Sequence, residues 1–251
     1  MADAWMPGVR CIRATTDGGQ LGGGAPRVVW LTLGADPRVI SVCSAAQRLV
    51  QENRPCHLVW DPLTGELAQL LPIVRAGCAL GTPESIDYAP DLLPYRQRGV
   101  NREGRLCVQI AVLGSPREPF TSYQMIGLGE ILGWLDSWQV PRRWPAGRPA
   151  PFRQATRPRS RALWALGGHF GASQVPDCES IGPGGIDIDQ LIRADTITPE
   201  LAEPPLAQPT PIRLGPRALS VAGVLSHRPE GVNGTPGASG TVEPAGQCSY
   251  A

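Results

Sequence analysis

The sequence RLCVQIAVL at residues 105–113 is an almost continuous run of apolar side chains, interrupted only by Gln109. Apolar runs of this length, without the alternation of a half-exposed strand, are typical of strands buried on both faces of a sheet. A second such run, RVVWLTL at residues 27–33, lies between Pro26 and Gly34. Together the two runs predict buried strands at the centre of the fold.

Two helical patterns accompany these strands. Residues 41–53 repeat apolar side chains on one helical face, with Ser41 as an N-cap and Pro55 beyond the end. Residues 122–140 carry a second amphipathic pattern, which Pro141 ends. The combination predicts an α/β fold with a mixed central β-sheet flanked by helices.

A hairpin is predicted in the segment between the two buried strands. Residues 56–60 and 66–71 are apolar runs joined by DPLTG at 61–65, where Pro presets one backbone angle and Gly supplies a positive φ. Residues 72–104 have little periodicity, and we expect them to form a long surface loop.

The ends of the chain predict irregular arms, because Gly and Pro are abundant there. We expect residues 1–26 to form an N-terminal arm, residues 27–195 a folded domain and residues 196–251 a Pro/Gly-rich extension. Residues 141–161 contain five Pro and predict an extended basic connection. Residues 186–192 predict a short helix or turn, which begins after Asp187.

The composition limits the cellular setting. The formal net charge is +1, and all 23 basic residues are Arg. The seven Cys form no CxxC pair, which favours reduced thiols in a cytosol. The opening residues lack the apolar core of a signal peptide, and no window reaches 18 apolar residues. We therefore expect synthesis in the cytoplasm and no membrane partner.

One stretch concentrates the residue types of metal or acid-base sites. Residues 163–191, LWALGGHFGASQVPDCESIGPGGIDIDQL, contain His169, one of only three histidines, followed by Asp177, Cys178 and Glu179. Imidazole, thiolate and carboxylate are the usual ligands of zinc in proteins. The stretch therefore predicts the position of any metal or acid-base chemistry.

Five pieces of sequence, in order, resemble the zinc-dependent N-acetylmuramoyl-L-alanine amidase family, whose fold is shared with peptidoglycan recognition proteins and many phage endolysins. The resemblance covers roughly residues 26–192. The last two pieces are most similar to a branch from high-GC bacteria and their phages. The pieces are PRVVWLTLG (26–34), HLVWDPLTGELAQLLPIVRAG (57–77), NREGRLCVQIAVLG (101–114), LGWLDSWQVPRRWPAG (132–147) and FGASQVPDCESIGPGGIDIDQL (170–191).

The resemblance implies a zinc site whose ligands are missing here. In the family, three ligands hold zinc with an open fourth position, where a bound water becomes the attacking hydroxide. Aligned by motif, the three ligand positions are Leu31, Ala172 and Gly182, and none of these side chains can bind a metal. A shifted alignment would use His169 with Asp177 or Cys178, which restores two ligands at most.

The resemblance also implies a substrate cleft. His57 matches a hairpin histidine that lines the cleft in the family, although a core imidazole beside Trp60 is an equal interpretation. Trp144 and Phe152 lie among arginines and predict an exposed aromatic platform. The implied catalytic candidates are His57 and His169. The implied substrate-binding residues are His57, Trp60, Asn101, Trp144, His169, Ser173 and Gln174.

Three functional hypotheses follow. The first is an amidase-like domain that has lost zinc and catalysis and serves as a wall-recognising or structural module, in a bacteriophage tail or in lysis. Its partners would be peptidoglycan, other virion proteins or a second copy bound through the arms. The second is an active amidase with zinc in a divergent site. The third is a nucleic-acid binder using residues 141–161, which the near-neutral net charge disfavours.

Overall fold

The computed structural model describes residues 2–80, 99–154 and 159–193. Within these ranges, six strands form one sheet in the order β1-β4-β3-β5-β2-β6. Among the strands described, β3 and β4 are antiparallel and all other neighbours are parallel, which confirms the predicted α/β fold with a mixed sheet. The strands are β1 (Arg10–Cys11), β2 (Arg27–Thr32), β3 (Leu58–Trp60), β4 (Leu67–Gln69), β5 (Cys107–Val112) and β6 (Gly168–Gly171).

The two apolar runs pair with each other at the centre of this sheet, as predicted. β2 and β5 are parallel, with Arg27 opposite Cys107 and Thr32 opposite Val112. Gln109, the polar residue in β5, is fully buried, and its amide is satisfied. Its Oε1 accepts a hydrogen bond from the Ala79 N–H (2.9 Å), and its Nε2 donates to another side chain (2.8 Å). A buried amide with both groups paired avoids the cost of desolvation.

Helices cover both faces of the sheet. α1 (Val42–Gln51) packs on the face that presents Leu31, and α2 (Leu128–Ser137) packs on the face that presents Trp30. Successive strand residues point to opposite faces, so each helix meets alternate β2 side chains. The predicted N-cap is confirmed, because Ser41 Oγ accepts from the Ser44 N–H (3.2 Å). Two short helices follow, α3 (Arg161–Ala165) and α4 (Ile188–Arg193).

The predicted bounds of the second helix were wrong. The pattern predicted residues 122–140, but α2 begins at Leu128 and residues 120–122 form a separate 3-10 turn. Met125 and Gly127 both have a positive φ, which a helix does not allow. The Ile126 N–H instead donates to the Pro62 carbonyl in the hairpin turn (3.1 Å). The segment before α2 is therefore shaped by the hairpin.

The N-terminal residues are largely irregular, as expected, but they are held against the sheet. β1 adds a parallel strand beside β4. The Met6 N–H donates to Gln69 Oε1 (2.6 Å), and Gln69 Nε2 donates to the Ala4 carbonyl (3.1 Å). A buried glutamine thus satisfies two backbone groups of a segment that has almost no regular hydrogen bonding of its own.

The predicted surface loop begins with a buried segment. Within residues 72–80, Ile73 and Ala76 are fully buried, and Arg75 forms an ion pair with Asp17 (2.8 Å). The expectation of a surface path was therefore wrong for these residues, because they pack beneath the N-terminal segment. The remainder of that loop, residues 81–98, and the predicted C-terminal extension lie outside the described residues.

The other predicted elements are present. β3 and β4 form the hairpin, and the Gly65 N–H closes the turn on the Asp61 carbonyl (2.9 Å). Residues 141–154 are irregular, as the prolines predicted. Asp187 caps α4, since its Oδ1 accepts from the Asp189 N–H (3.0 Å). Across the ranges that the structure describes, no helix has the length and apolar character needed to cross a membrane.

Candidate functional site

The three positions that the resemblance assigns to zinc ligands lie together at the carboxyl end of β2. β2 and β6 are parallel with Trp30 opposite Gly171. Leu31, the next residue of β2, and Ala172, the residue after β6, therefore lie side by side. The Ser173 N–H donates to the Gly182 carbonyl (2.7 Å), which brings residue 182 to the same place.

These residues do not fit a zinc ion. A zinc ligand needs an imidazole, thiolate or carboxylate side chain. Leu31 and Ala172 have only hydrocarbon side chains and Gly182 has none, so these positions supply no donor atom. The space is also taken, because a Cβ added to Gly182 would lie 2.6 Å from Thr32 Oγ1. The Thr32 hydroxyl therefore occupies the volume into which a ligand side chain at 182 would extend.

His169 lies in β6 on the opposite face of the sheet from Leu31. Its Nδ1 accepts a hydrogen bond from Trp30 Nε1 (3.1 Å), and its ring lies 6.1 Å from Trp30 and 6.3 Å from Trp144. Nε2 is buried, with no hydrogen-bond partner among the described residues. Burial lowers the pKa of His169 to about 4, so the ring is neutral near pH 7.

The shifted ligand set is not assembled. Phe170 and Cys178 belong to the core on the α1 side of the sheet, whereas His169 points to the α2 side. Asp177 is exposed and pairs with Arg161. In the described part of the chain, no three His, Cys, Asp or Glu residues are grouped as a metal site requires.

His57 is a core imidazole, and it does not line a cleft. Its Nδ1 accepts from the Gln109 N–H (3.0 Å), and its Nε2 donates to the Arg75 carbonyl (2.8 Å). Burial lowers the pKa of His57 to about 4, against the opposing effect of the Arg75 carbonyl. Both nitrogens are used by the backbone, so neither is available to a substrate.

Two other predicted substrate-binding residues also have internal partners. Trp60 is fully buried, and its Nε1 donates to the Ile126 carbonyl (2.8 Å). Asn101 Oδ1 accepts from Gln109 Nε2 (2.8 Å). These contacts hold the hairpin and the entry to β5, and they give both residues a structural role.

Trp144 is buried, which overturns its prediction as part of an exposed platform. Only 8% of Trp144 is accessible, and its Nε1 donates to Gln174 Oε1 (2.7 Å). Gln174 also accepts from the Gly171 N–H (2.9 Å) and donates to the Gly147 carbonyl (2.7 Å). The amide therefore ties the connection after α2 to the end of β6. Phe152 is half-buried.

Three arginines in the described part of the basic connection make contacts within the fold. Arg142 pairs with Asp136 (2.6 Å), and Arg148 pairs with Asp187 (3.3 Å). Arg159 Nε donates to the Ser173 carbonyl (3.0 Å). A basic patch that recognises nucleic acid needs arginines free to reach phosphates. The observed pairing offers no support for the nucleic-acid hypothesis.

A cavity of about 830 Å³ opens at the carboxyl end of β2, beside positions 31 and 182. Its wall is mainly apolar, from β2, α1 and the segment that contains Cys178. Polar and charged side chains also line it, among them Thr32, Arg48, Glu52, Arg54, Arg117 and Glu179. The sequence did not predict any of these as site residues. The lining includes Leu31, Thr32, Leu33, Ile40, Ala45, Leu49, Arg54, Leu80, Cys178, Ile181 and Gly182.

No protein-family model matches the chain, and no curated protein matches it. Among solved structures, the chain is similar to two amidases of Clostridium intestinale URNW. The endolysin N-acetylmuramoyl-L-alanine amidase LysCS is 14% identical, with a TM-score of 0.41 over 75% of this chain and 95% of that chain. N-acetylmuramoyl-L-alanine amidase LysC is 13% identical, with a TM-score of 0.39 over 72% and 94%.

The chain is also similar to the hydrolase AmiA of Staphylococcus aureus, whose structure contains its ligand. That protein is 9% identical, with a TM-score of 0.37 over 66% of this chain and 65% of that chain.

Proposed function

We propose that this chain is a peptidoglycan amidase-like domain without zinc or catalysis, which recognises the bacterial cell wall as part of a bacteriophage. One observation carries the proposal. The motif alignment assigns the ligand positions to residues 31, 172 and 182, and these lie together at the carboxyl end of β2, where residues 31 and 182 line one cavity. A mistaken alignment has no reason to bring three distant positions to the same end of a sheet.

The absence of catalysis is argued from the side chains at those positions. Zinc in the family supplies the bound hydroxide and polarises the amide. Leucine, alanine and glycine provide no donor atom to hold the ion, and His169 is separated from Cys178 by the sheet. A domain with these three residues retains a cavity for a ligand but lacks the zinc-bound hydroxide that would attack the amide.

The proposal extends to the route by which the protein meets the wall. It is made in the bacterial cytoplasm and reaches peptidoglycan in a tail or at lysis. Residues 196–251 then provide contacts to other virion proteins or to a second copy.

The test uses the full chain with purified peptidoglycan sacculi. We expect co-sedimentation with sacculi, no loss of turbidity in a sacculus suspension, and zinc content far below one equivalent after incubation with zinc and desalting. Failure to co-sediment would contradict wall recognition. Turbidity loss together with stoichiometric zinc would establish the competing hypothesis of an active amidase with a divergent site.

A further inference from the structure

β1 lies at one end of the described sheet, and its outer edge carries unpaired backbone groups. The Ile12 N–H donates to the Gln69 carbonyl of β4 (2.9 Å), so Ile12 faces into the sheet. Backbone groups alternate in direction along a strand, and those of Cys11 and Arg13 therefore point outward. Their N–H and C=O groups have no hydrogen-bond partner among the residues that the structure describes. This edge can therefore pair with one more strand.

Two arginines carry positive charge at this edge. Arg10 and Arg13 are exposed, as is Cys11 between them. The ion pairs found within the described ranges all use other arginines. The Arg13 guanidinium lies 5.3 Å from the ring centre of Trp5, a contact that orients the guanidinium and does not neutralise it. The edge therefore combines unpaired peptide groups with two positive charges.

The positive charges decide which kind of strand this edge accepts. Charged side chains on an edge strand oppose its pairing with a second copy. Antiparallel pairing of two β1 strands would place four guanidinium groups along one short ladder, and like charges on paired strands are unfavourable. A strand that carries carboxylates at the facing positions instead gains two cross-strand ion pairs. Charge complementarity therefore favours an acidic partner over a second copy.

The positions of the two arginines determine the spacing of the acids in such a strand. Arg10 and Arg13 are three residues apart, so their side chains project to opposite faces of the sheet. A strand beside β1 meets both arginines only if two of its acidic residues are also three positions apart. A spacing of two puts both acids on one face, where they reach one arginine. This spacing distinguishes the edge from a surface that attracts any acidic peptide.

We propose that the outer edge of β1 binds an extended acidic segment of a partner protein, which adds to the sheet as a further strand. The peptide groups of Cys11 and Arg13 supply main-chain hydrogen bonds, and the two arginines select acids three positions apart. In this mode of recognition, backbone pairing provides affinity and side chains provide selectivity. Residues 10–13 do not line the cavity beside β2, so this contact is independent of the proposed wall recognition.

The experiment measures binding of fluorescein-labelled peptides to the full chain by fluorescence anisotropy. TVETVETV has two glutamates three positions apart, and TVETEVTV has the same composition with the glutamates two apart. We expect TVETVETV to bind about 3-fold more tightly, because it gains one more cross-strand ion pair. Two forms of TVETVETV, N-methylated at alternate residues, test the backbone pairing. The form methylated on the edge facing β1 should bind at least about 10-fold more weakly, and the other form should bind normally.

Arginine variants test the selectivity for spacing. Arg10→Gln and Arg13→Gln each leave one arginine at the edge, so each should remove the difference between the two peptides. Arg148→Gln is the control for a change of net charge. Arg148 is exposed and follows Gly147, whose carbonyl is bound by Gln174 beside β6, at the other end of the described sheet. Its loss should leave both affinities unchanged.

A proline variant tests the outward N–H directly. Cys11→Pro removes that donor and leaves the bond from Ile12 to β4, and proline is tolerated where an edge strand faces solvent. It should weaken TVETVETV at least about 10-fold. Cys11→Ala keeps the N–H and should bind as the wild type does. If Cys11→Pro unfolds in urea at a lower midpoint, the N-methylated peptides supply the same test with the wild-type protein.

Several results would overturn the proposal. These are no binding of TVETVETV, equal affinity for the two spacings, equal affinity for the two N-methylated forms, or full binding by a folded Cys11→Pro protein. A wild-type dimer in analytical ultracentrifugation that Cys11→Pro abolishes would assign the edge to a second copy instead.

Discussion

The stability of the fold should fall steeply in mild acid because of two buried histidines. His57 and His169 are fully buried, and burial lowers the pKa of each from 6.5 to about 4. Between pH 6.5 and about 4 the unfolded chain binds two protons that the folded protein does not bind. The unfolded state therefore binds more protons in this window, and stability is lost as the pH falls from about 6.5 towards 4.

The size of the effect follows from the two shifts. Each pKa unit corresponds to about 1.4 kcal/mol, so each histidine accounts for about 3 kcal/mol once the pH reaches about 4. At pH 5, which lies about 1.5 units below the ordinary pKa, the loss is about 2 kcal/mol for each and about 4 kcal/mol for both. That is a large part of the 5–15 kcal/mol typical of a folded domain.

The measurement is urea unfolding, followed by tryptophan fluorescence, at pH 7, 6 and 5. His57→Gln and His169→Gln keep polar side chains that do not titrate, and a glutamine oxygen at 169 can accept from Trp30 Nε1. Each single variant should lose about 2 kcal/mol less than the wild type between pH 7 and 5, and the double variant about 4 kcal/mol less. His227 and all carboxylates are the same in the wild type and the variants, so their contributions to the pH dependence cancel in the comparison. Equal slopes in the wild type and the double variant would refute the reasoning.

Two further substitutions test the packing around the site. Gly184→Ala should destabilise the protein by about 2 kcal/mol or more, because φ is +84° and the new Cβ would meet the Pro116 carbonyl oxygen. Gly23→Ala is the control: Gly23 also has a positive φ but has open space around it, so this variant should lose only about 1 kcal/mol in the same urea titration. Equal losses of stability in the two variants would argue against the close approach at Gly184. Trp144→Phe removes the indole donor to Gln174 and should lower the free energy of unfolding by about 1 kcal/mol, whereas an unchanged urea midpoint would mean that the hydrogen bond contributes nothing.

The elements that the sequence predicted well are those whose signal is local. β2 and β5 are continuous apolar runs, and burial on both faces produces such runs directly. Ser41 marks the start of α1, and Gly65 ends a turn that only a few residue types can form. In each case the residues that determine the structure lie within the element itself.

The features that sequence reasoning missed depend on distant partners. β6 has the sequence GHFG, which carries little strand signal, and it forms a strand because it pairs with the edge of β2. The face taken by His169 follows from that register, so no spacing within residues 163–191 predicts its separation from Cys178. Arg54 is one of 23 arginines, and its position at the cavity depends on where α1 ends relative to the sheet. The burial of Trp144 likewise depends on Gln174, thirty residues further along.

The strand order has a consequence for how the protein emerges from the ribosome. β2 is synthesised early, yet one of its two neighbours, β6, is the last of the described strands to be made. A nascent chain that has reached residue 150 has an unprotected row of peptide groups along β2, open to pairing with another polypeptide. Completion of the sheet is thus deferred until Gly168–Gly171 leaves the exit tunnel, and truncation before that point should yield aggregates in place of a smaller folded domain.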